Sequence, residues 1–122
     1  MKILLVDDDA LLRDMYATKF MEVGHSVEAV SSGERALEML KDQDFDVVLL
    51  DIVMPTMTGI EFLQAAQKLS KEPAPKFIVL SNQGEEEHID AAKKAGAAGY
   101  IVKAAMIPSE VVKKIESLIG GN

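Results

Sequence analysis

The chain has 122 residues, enough for one domain that buries roughly two thirds of its unfolded surface. Hydrophobic residues make up 48% and charged residues 27%, a balance typical of globular proteins that excludes a disordered chain. Because there is no cysteine, disulfides, thiolate metal sites and cysteine nucleophiles are excluded. The net charge of −7, with scattered basic residues, argues against a nucleic-acid partner.

No targeting or membrane segment is expected from the apolar pattern. The N-terminal apolar run covers only Ile3 to Val6 before three aspartates, which is too short for the apolar region of a signal peptide. No other stretch approaches the length of a membrane span. We therefore expect a soluble cytoplasmic protein without membrane contact, in which residues 1–122 form a single domain and no effector domain is attached.

Five apolar segments rich in β-formers alternate with five segments of helical periodicity. The predicted strands are Lys2 to Val6, Ser26 to Val30, Asp46 to Leu50, Lys76 to Leu80 and Tyr100 to Val102. The predicted helices are Ala10 to Val23, a second opened by Ser31-Ser32-Gly33, Gly59 to about Ser70, Glu85 to Ala95, and a fifth with Pro108 in its first turn. In this last helix, Val111, Ile115 and Leu118 are predicted to face the core. Strict alternation predicts an α/β fold with a five-stranded parallel sheet and helices on both faces.

The stretch from Phe45 to Phe62 organises the rest of the chain. Its apolar run from Val47 to Leu50 is continuous, as expected of a parallel strand covered on both faces, and it leads directly into Asp51. The segment from Thr58 to Glu61 then has the pattern of a capping box that opens the next helix. Open α/β sheets place their chemistry at the carboxyl ends of such strands, so Asp51 is the leading candidate site residue.

Polar side chains also follow three other strands. Asp7 and Asp8 come after strand 1, Ser81 after strand 4 and Lys103 after strand 5. In a flavodoxin-like (βα)5 sheet of order 2-1-3-4-5, strands 1 and 3 are neighbours about 4.8 Å apart, so the three aspartates would share one pocket. Two carboxylates about 4 Å apart repel by roughly 4 kcal/mol at an effective dielectric of 20. This repulsion predicts a hard divalent cation, Mg²⁺ or Mn²⁺, with Lys103 as a second cation about 10 Å from Asp51 at the backbone, which a lysine can mostly span.

A carboxylate beside a metal ion, an ammonium and a hydroxyl is equipped to attack phosphorus. The cations and the hydroxyl stabilise charge on the phosphoryl oxygens, while the aspartate acts as nucleophile and gives an acyl phosphate.

These residues together resemble a known family. The resemblance rests on VDDD ending at Asp9, on D-x-x-M-P-x-x-x-G from Asp51 to Gly59, on Ser81, and on GYIVK ending in Lys103. It is to the receiver domain of two-component response regulators (CheY-like), and it covers essentially the whole chain. The resemblance implies that Asp51 is the phospho-acceptor.

The family also implies roles for the neighbouring residues. Asp8 and Asp51 would ligate Mg²⁺ directly, the backbone carbonyl of Val53 would complete the protein ligands, and Asp7 would act through a water. Ser81 and Lys103 would contact the phosphoryl group. Tyr100 would be a switch aromatic that changes rotamer when Ser81 moves, and no organic cofactor is expected.

The partners follow from the same resemblance. The donor would be a phosphohistidine on a sensor histidine kinase or a phosphotransfer protein. Output would pass to a downstream protein through the helix 4, strand 5, helix 5 face, and phosphorylation could produce a homodimer. Such a protein is not an enzyme acting on other substrates, because it catalyses only its own phosphorylation and dephosphorylation.

Two positions depart from the family pattern. Asn82 stands where receivers carry a small residue, and it would crowd the phosphoryl site or add a hydrogen bond to it. Ala104 follows Lys103, where receivers carry a proline after a cis peptide bond. A cis bond without proline costs about 3 kcal/mol, which favours a trans Lys103–Ala104 bond and a shifted loop over a strained cis bond.

Two other functions remain open at this point. Asp7-x-Asp9 also resembles the nucleophile motif of haloacid-dehalogenase-type phosphatases, with Asp7 as nucleophile and Asp9 as acid. That function needs a further acidic pair on a later strand, which the sequence lacks. The other alternative is a binding module that keeps the receiver fold but signals without phosphorylation.

Overall fold

The computed structural model describes residues 1–103 and 106–120 as five β-α units. The elements are β1 (Lys2–Val6), α1 (Ala10–Glu22), β2 (Ser26–Val30), α2 (Gly33–Asp42), β3 (Val47–Leu50), α3 (Gly59–Gln67), β4 (Lys76–Ser81), α4 (Glu86–Lys94), β5 (Gly99–Val102) and α5 (Pro108–Gly120). All four strand pairings are parallel, and the order is β2-β1-β3-β4-β5. The predicted fold class and strand order are confirmed.

The register of the strands determines which side chains meet at the carboxyl edge of the sheet. Val6 in β1 pairs with Leu50 in β3, so the residues that follow them, Asp7 and Asp51, leave adjacent strands at the same level. Farther along the edge, Ser81 in β4 pairs with Val102 in β5. The four strands therefore deliver their polar residues to one edge.

The helices cover both faces of the sheet, as predicted, and each face has its own apolar core. One core packs α1 and α5 against β-strand residues, with Tyr16, Phe20, Val111 and Ile115 among its buried members. The other packs α2, α3 and α4, with Leu40, Phe62, Leu63 and Ala92 among its buried members. No helix in the described part of the chain is long and apolar enough to cross a membrane.

Side-chain caps set the starts of the helices beside the carboxyl edge. Asp9 accepts hydrogen bonds from the amides of Leu11 and Leu12 at the start of α1. At the start of α3, the Thr58 hydroxyl accepts from the Glu61 amide while the Glu61 carboxylate accepts from the Thr58 amide, which is the predicted capping box. These caps fix the loops that follow β1 and β3.

Two local predictions were wrong. Leu118 does not face the core: it is 37% exposed, because it packs beside Gly99 in the edge strand β5, while Val112 is buried instead. Helix α3 ends at Gln67 rather than near Ser70, since Ser70 has a left-handed backbone with φ of 49°, which a right-handed helix cannot contain.

Candidate functional site

A cleft of about 280 Å³ opens at the carboxyl edge of the sheet. It is lined by Asp7, Asp8, Asp9, Leu12, Asp51, Val53, Ser81, Asn82, Gln83 and Lys103. The structure thus brings together all the site residues predicted from the sequence except Tyr100, whose hydroxyl bonds to Gln83, one of the lining residues. Asn82, one of the two departures from the receiver pattern, is exposed at the cleft.

Lys103 lies between the two carboxylates that end β1 and β3. Its Nζ is 3.1 Å from Asp7 Oδ2 and 3.1 Å from Asp51 Oδ2, and the Lys103 side chain is buried. Burial by itself would lower the pKa of Lys103, but the charges of Asp51 and Asp7 and their hydrogen bonds outweigh it, so the pKa is raised. The amine is therefore a fixed cation at neutral pH.

The second oxygen of each carboxylate is held by the main chain. Asp7 Oδ1 accepts from the Asp9 amide at 2.9 Å, and Asp51 Oδ1 accepts from the Val53 amide at 3.1 Å. Asp7 is only 3% exposed, whereas Asp51 is partly exposed and Asp8 is exposed. Asp51 is therefore the Lys103-paired carboxylate that an incoming group can reach.

Gly59 ends the loop after Asp51 and lies directly against its main chain. Its amide donates to the Ile52 carbonyl at 2.8 Å, so α3 begins directly against the main chain that follows β3. A Cβ atom at position 59 would lie 2.7 Å from Ile52 Cα and would also collide with the Asp51 carbonyl oxygen. Only glycine permits this approach, which holds the backbone of Asp51 in place.

Ser81 and Tyr100 are connected through Gln83. Ser81 is fully buried, and its Oγ accepts from the Gln83 amide at 3.1 Å. The Tyr100 hydroxyl donates to the Gln83 carbonyl. Burial raises the pKa of Tyr100, as do the nearby carboxylates of Asp51 and Glu85, while a contact with Ser81 acts in the opposite direction. The phenol therefore keeps its proton and remains a hydrogen-bond donor to the loop after β4.

The chemistry of the donor set fits Mg²⁺. Asp8, Asp51 and Val53 line the same cleft and offer carboxylate and carbonyl oxygens, the hard ligands that Mg²⁺ takes, while the open cleft leaves room for its waters. Within residues 1–103 and 106–120, no three acidic or histidine side chains are already gathered as a ligand cluster. Lys103 bridges Asp7 and Asp51 beside these ligands.

Sequence reasoning missed the contacts made by two other residues. The Arg13 Nη1 atom donates to the Asp7 carbonyl at 2.8 Å, and Gln83 links Ser81 to Tyr100 through its main chain. Arg13 lies in the first turn of α1 after the Asp9 cap, but no pattern of residue types indicates the direction of its side chain. The prediction for the Lys103–Ala104 peptide bond lies outside the described residues.

Comparison with known proteins identifies the family. The family model described as the response regulator receiver domain matches residues 3–116. The chain belongs to the response regulator receiver domain family. Receivers are the signalling domains of two-component systems, and the resemblance of the chain to this family is confirmed.

Individual receivers match along nearly their whole length. The chemotaxis protein CheY of Thermotoga maritima is 35% identical over 96% of this chain and 96% of its own. The structure of the Vibrio cholerae chemotaxis protein CheY4 has a TM-score of 0.89, with 31% identity over 96% of this receiver and 97% of that chain. The response regulator TrrA from Thermotoga maritima, solved in complex with Mg²⁺-BeF, has a TM-score of 0.82 at 28% identity, covering 96% and 97% of the two chains.

Proposed function

We propose that this receiver accepts a phosphoryl group on Asp51 from a phosphohistidine of a sensor histidine kinase or a phosphotransfer protein, in a Mg²⁺-dependent reaction. The observation that carries the proposal is the position of Lys103, whose Nζ is 3.1 Å from Asp51 Oδ2 in a cleft open to solvent. A structural ion pair would need no such opening. A fixed cation beside a reachable carboxylate is instead suited to phosphoryl transfer.

The reaction moves one phosphoryl group and no net proton. A carboxylate oxygen of Asp51 forms a bond to phosphorus while the phosphorus–nitrogen bond of the donor breaks. The donor ring, which is protonated on its second nitrogen, takes the electron pair of that bond and leaves as neutral imidazole. The product on the receiver is an acyl phosphate. Lys103 contacts the Asp51 carboxylate at 3.1 Å and would move from it to a phosphoryl oxygen, while its contact with Asp7 would keep it at the site.

The proposed metal ligands are Asp8, Asp51 and the carbonyl of Val53, with Asp7 acting through a water. When bound, Mg²⁺ supplies positive charge that stabilises the phosphoryl oxygens. The TrrA neighbour, solved with Mg²⁺-BeF, supports this part of the proposal.

Output would start at Ser81. Its hydroxyl lies at the cleft and would be drawn towards a phosphoryl group on Asp51. Because Ser81 bonds to the Gln83 amide and Tyr100 to the Gln83 carbonyl, a movement of Ser81 would be passed to Tyr100. This would shift a pre-existing equilibrium of the α4–β5–α5 face, where a downstream protein docks.

An intact-mass spectrum after incubation with acetyl phosphate tests the proposal. We expect one phosphoryl adduct that requires Mg²⁺, that is lost in Asp51→Asn, and that persists in Asp90→Asn, a matched change of an exposed aspartate on α4. A folded wild type that forms no adduct with acetyl phosphate or with a histidine-phosphorylated donor would contradict it and favour the phosphorylation-independent binding module. Multiple turnover of phosphate esters that is lost in Asp9→Asn would favour the phosphatase.

A further inference from the structure

We propose that Arg13 is a positioning residue that orients Asp8 for Mg²⁺. This role depends on the proposed function. Arg13 itself would not contact the metal. The role is based on the hydrogen bond of 2.8 Å between Arg13 Nη1 and the carbonyl oxygen of Asp7.

The Asp7 carbonyl and the Asp8 amide belong to one planar peptide unit. A hydrogen bond to this carbonyl oxygen therefore fixes the orientation of the peptide plane that leads into Asp8. The Asp7 amide, on the other side, donates to the Val30 carbonyl of β2 at 3.1 Å. Asp7 is thus held from both directions, by the sheet before it and by Arg13 after it.

The orientation of the Asp8 side chain is less constrained than that of the other two aspartates. Asp7 and Asp51 each have one oxygen on Lys103 and the other on a main-chain amide. Asp8 is exposed and lines the open cleft, so its direction depends on the main chain that carries it. A ligand already aimed at the metal loses less conformational entropy when the metal binds.

Arg13 is well placed for this role. The Arg13 amide donates to the carbonyl of the Asp9 cap at 2.9 Å, so the residue lies in the first turn of α1 and its side chain reaches back over the loop. The hydrogen bond is charge-assisted because the guanidinium is always protonated, which makes it stronger than a neutral one.

The charge of Arg13 and its positioning role have opposite effects on Mg²⁺ binding. A nearby positive charge repels a divalent cation, so removing Arg13 would strengthen binding if its charge were all that mattered. If Arg13 orients Asp8, removing it weakens binding. The sign of the change therefore separates the two effects.

The test is a Mg²⁺ titration of the full chain followed by ¹⁵N NMR. We expect Arg13→Gln to bind Mg²⁺ roughly tenfold more weakly than the wild type, as is typical when a residue supporting a metal ligand is lost. Before Mg²⁺ is added, the Asp8 amide signal should already have moved, because its peptide carbonyl has lost the guanidinium. Arg35→Gln is the matched control, since Arg35 is an exposed arginine paired with Glu38 on α2, and it should bind Mg²⁺ like the wild type.

Unchanged or tighter Mg²⁺ binding by Arg13→Gln would overturn the role of Arg13 while leaving the proposed function intact. An Asp8 amide signal that stays in place would do the same. Failure of the wild type to bind Mg²⁺ would instead overturn the metal site of the proposed function, and this inference with it. The same spectra report folding, and Arg13→Met, which keeps the aliphatic stem, is a second variant with the same expected loss.

Discussion

At the scale of single residues, Lys103 balances two carboxylates that would otherwise repel each other. Asp7 is almost completely buried, and its side chain has Lys103 as its cationic partner. Removing one member of a buried ion pair leaves an uncompensated charge, which costs more than the pair contributes. The stability of the metal-free protein should therefore depend on this lysine.

We predict that Lys103→Met lowers the free energy of unfolding by about 2 kcal/mol at pH 7 without Mg²⁺, somewhat less than for a fully enclosed pair because Asp51 is partly exposed. Urea denaturation followed by circular dichroism measures this. Lys76→Met, at an exposed lysine that begins β4, is the control and should change stability by no more than about 0.5 kcal/mol. Equal stability of the two variants would show that Lys103 does not compensate the carboxylates.

The raised pKa of Lys103 makes a second prediction, about alkaline pH. A lysine whose pKa is raised on folding stabilises the folded protein fully at pH values below its unfolded pKa of about 10.4. This stabilisation is lost as the pH rises through the pKa of the folded state. The difference in unfolding free energy between wild type and Lys103→Met should be constant from about pH 7 to 9 and shrink above about pH 10.5. Burial also raises the pKa values of Tyr16 and Tyr100, and the charge of Lys103 opposes this rise at Tyr16. The two proteins are therefore compared in a Tyr16→Phe background, so that the titration of Tyr16 does not differ between them. A difference that grows with pH would contradict the ion-pair account.

At the scale of elements, the contact between the β3–α3 loop and the start of α3 positions Asp51. We predict that Gly59→Ala destabilises the protein by about 2 kcal/mol, because its Cβ would meet main-chain atoms of Asp51 and Ile52 that cannot move independently. Phosphorylation by acetyl phosphate should also slow, since relief of the clash displaces Asp51. Thermal unfolding and intact-mass kinetics measure the two effects.

Gly33→Ala is the matched control. Its Cβ would lie 2.9 Å from Met57 Sδ, the flexible end of a side chain that can move aside. Stability should therefore change by only about 0.5 kcal/mol, with no effect on phosphorylation. If both variants lost the same stability and phosphorylation rate, the close approach of Gly59 to the Asp51 main chain would not be what positions Asp51.

Most of the elements could be predicted because their signals are local. The continuous run from Val47 to Leu50 and the cap at Thr58 specify a buried strand and a helix start without help from the rest of the fold. The errors at Leu118 and Ser70 have other causes. Helical periodicity does not show that Leu118 packs beside the edge strand β5, where it stays 37% exposed. A left-handed serine has no sequence signal like that of glycine.

At the scale of the whole molecule, the strand order brings residues that are distant in sequence to one edge. Lys103 is 96 residues from Asp7 in the chain, yet the two side chains are in contact. Alternation of strands and helices, together with the flavodoxin-like order, was enough to predict this convergence. The contacts of Arg13 and Gln83 could not be predicted, since they depend on side-chain and loop directions that no pattern of residue types specifies.

The same edge connects the site to the α4–β5–α5 face. We predict that beryllofluoride with Mg²⁺, a phosphoryl mimic, changes NMR amide shifts both in the cleft and on this face in the wild type. In Ser81→Ala the changes should stay near the cleft, because the Ser81–Gln83 bond is lost. Ser109→Ala, at the start of α5, is the control and should behave like the wild type. Identical long-range changes in Ser81→Ala would contradict transmission through Ser81.

In the proposed function Asp51, and no other carboxylate of the cleft, carries the phosphoryl group. Borohydride reduces an acyl phosphate to an alcohol and so converts the phosphorylated aspartate to homoserine. Peptide mass mapping of the phosphorylated and reduced wild type should find homoserine at position 51 and unmodified Asp7, Asp8 and Asp9. Homoserine at position 7 would contradict the account and identify the other nucleophile that the sequence offers.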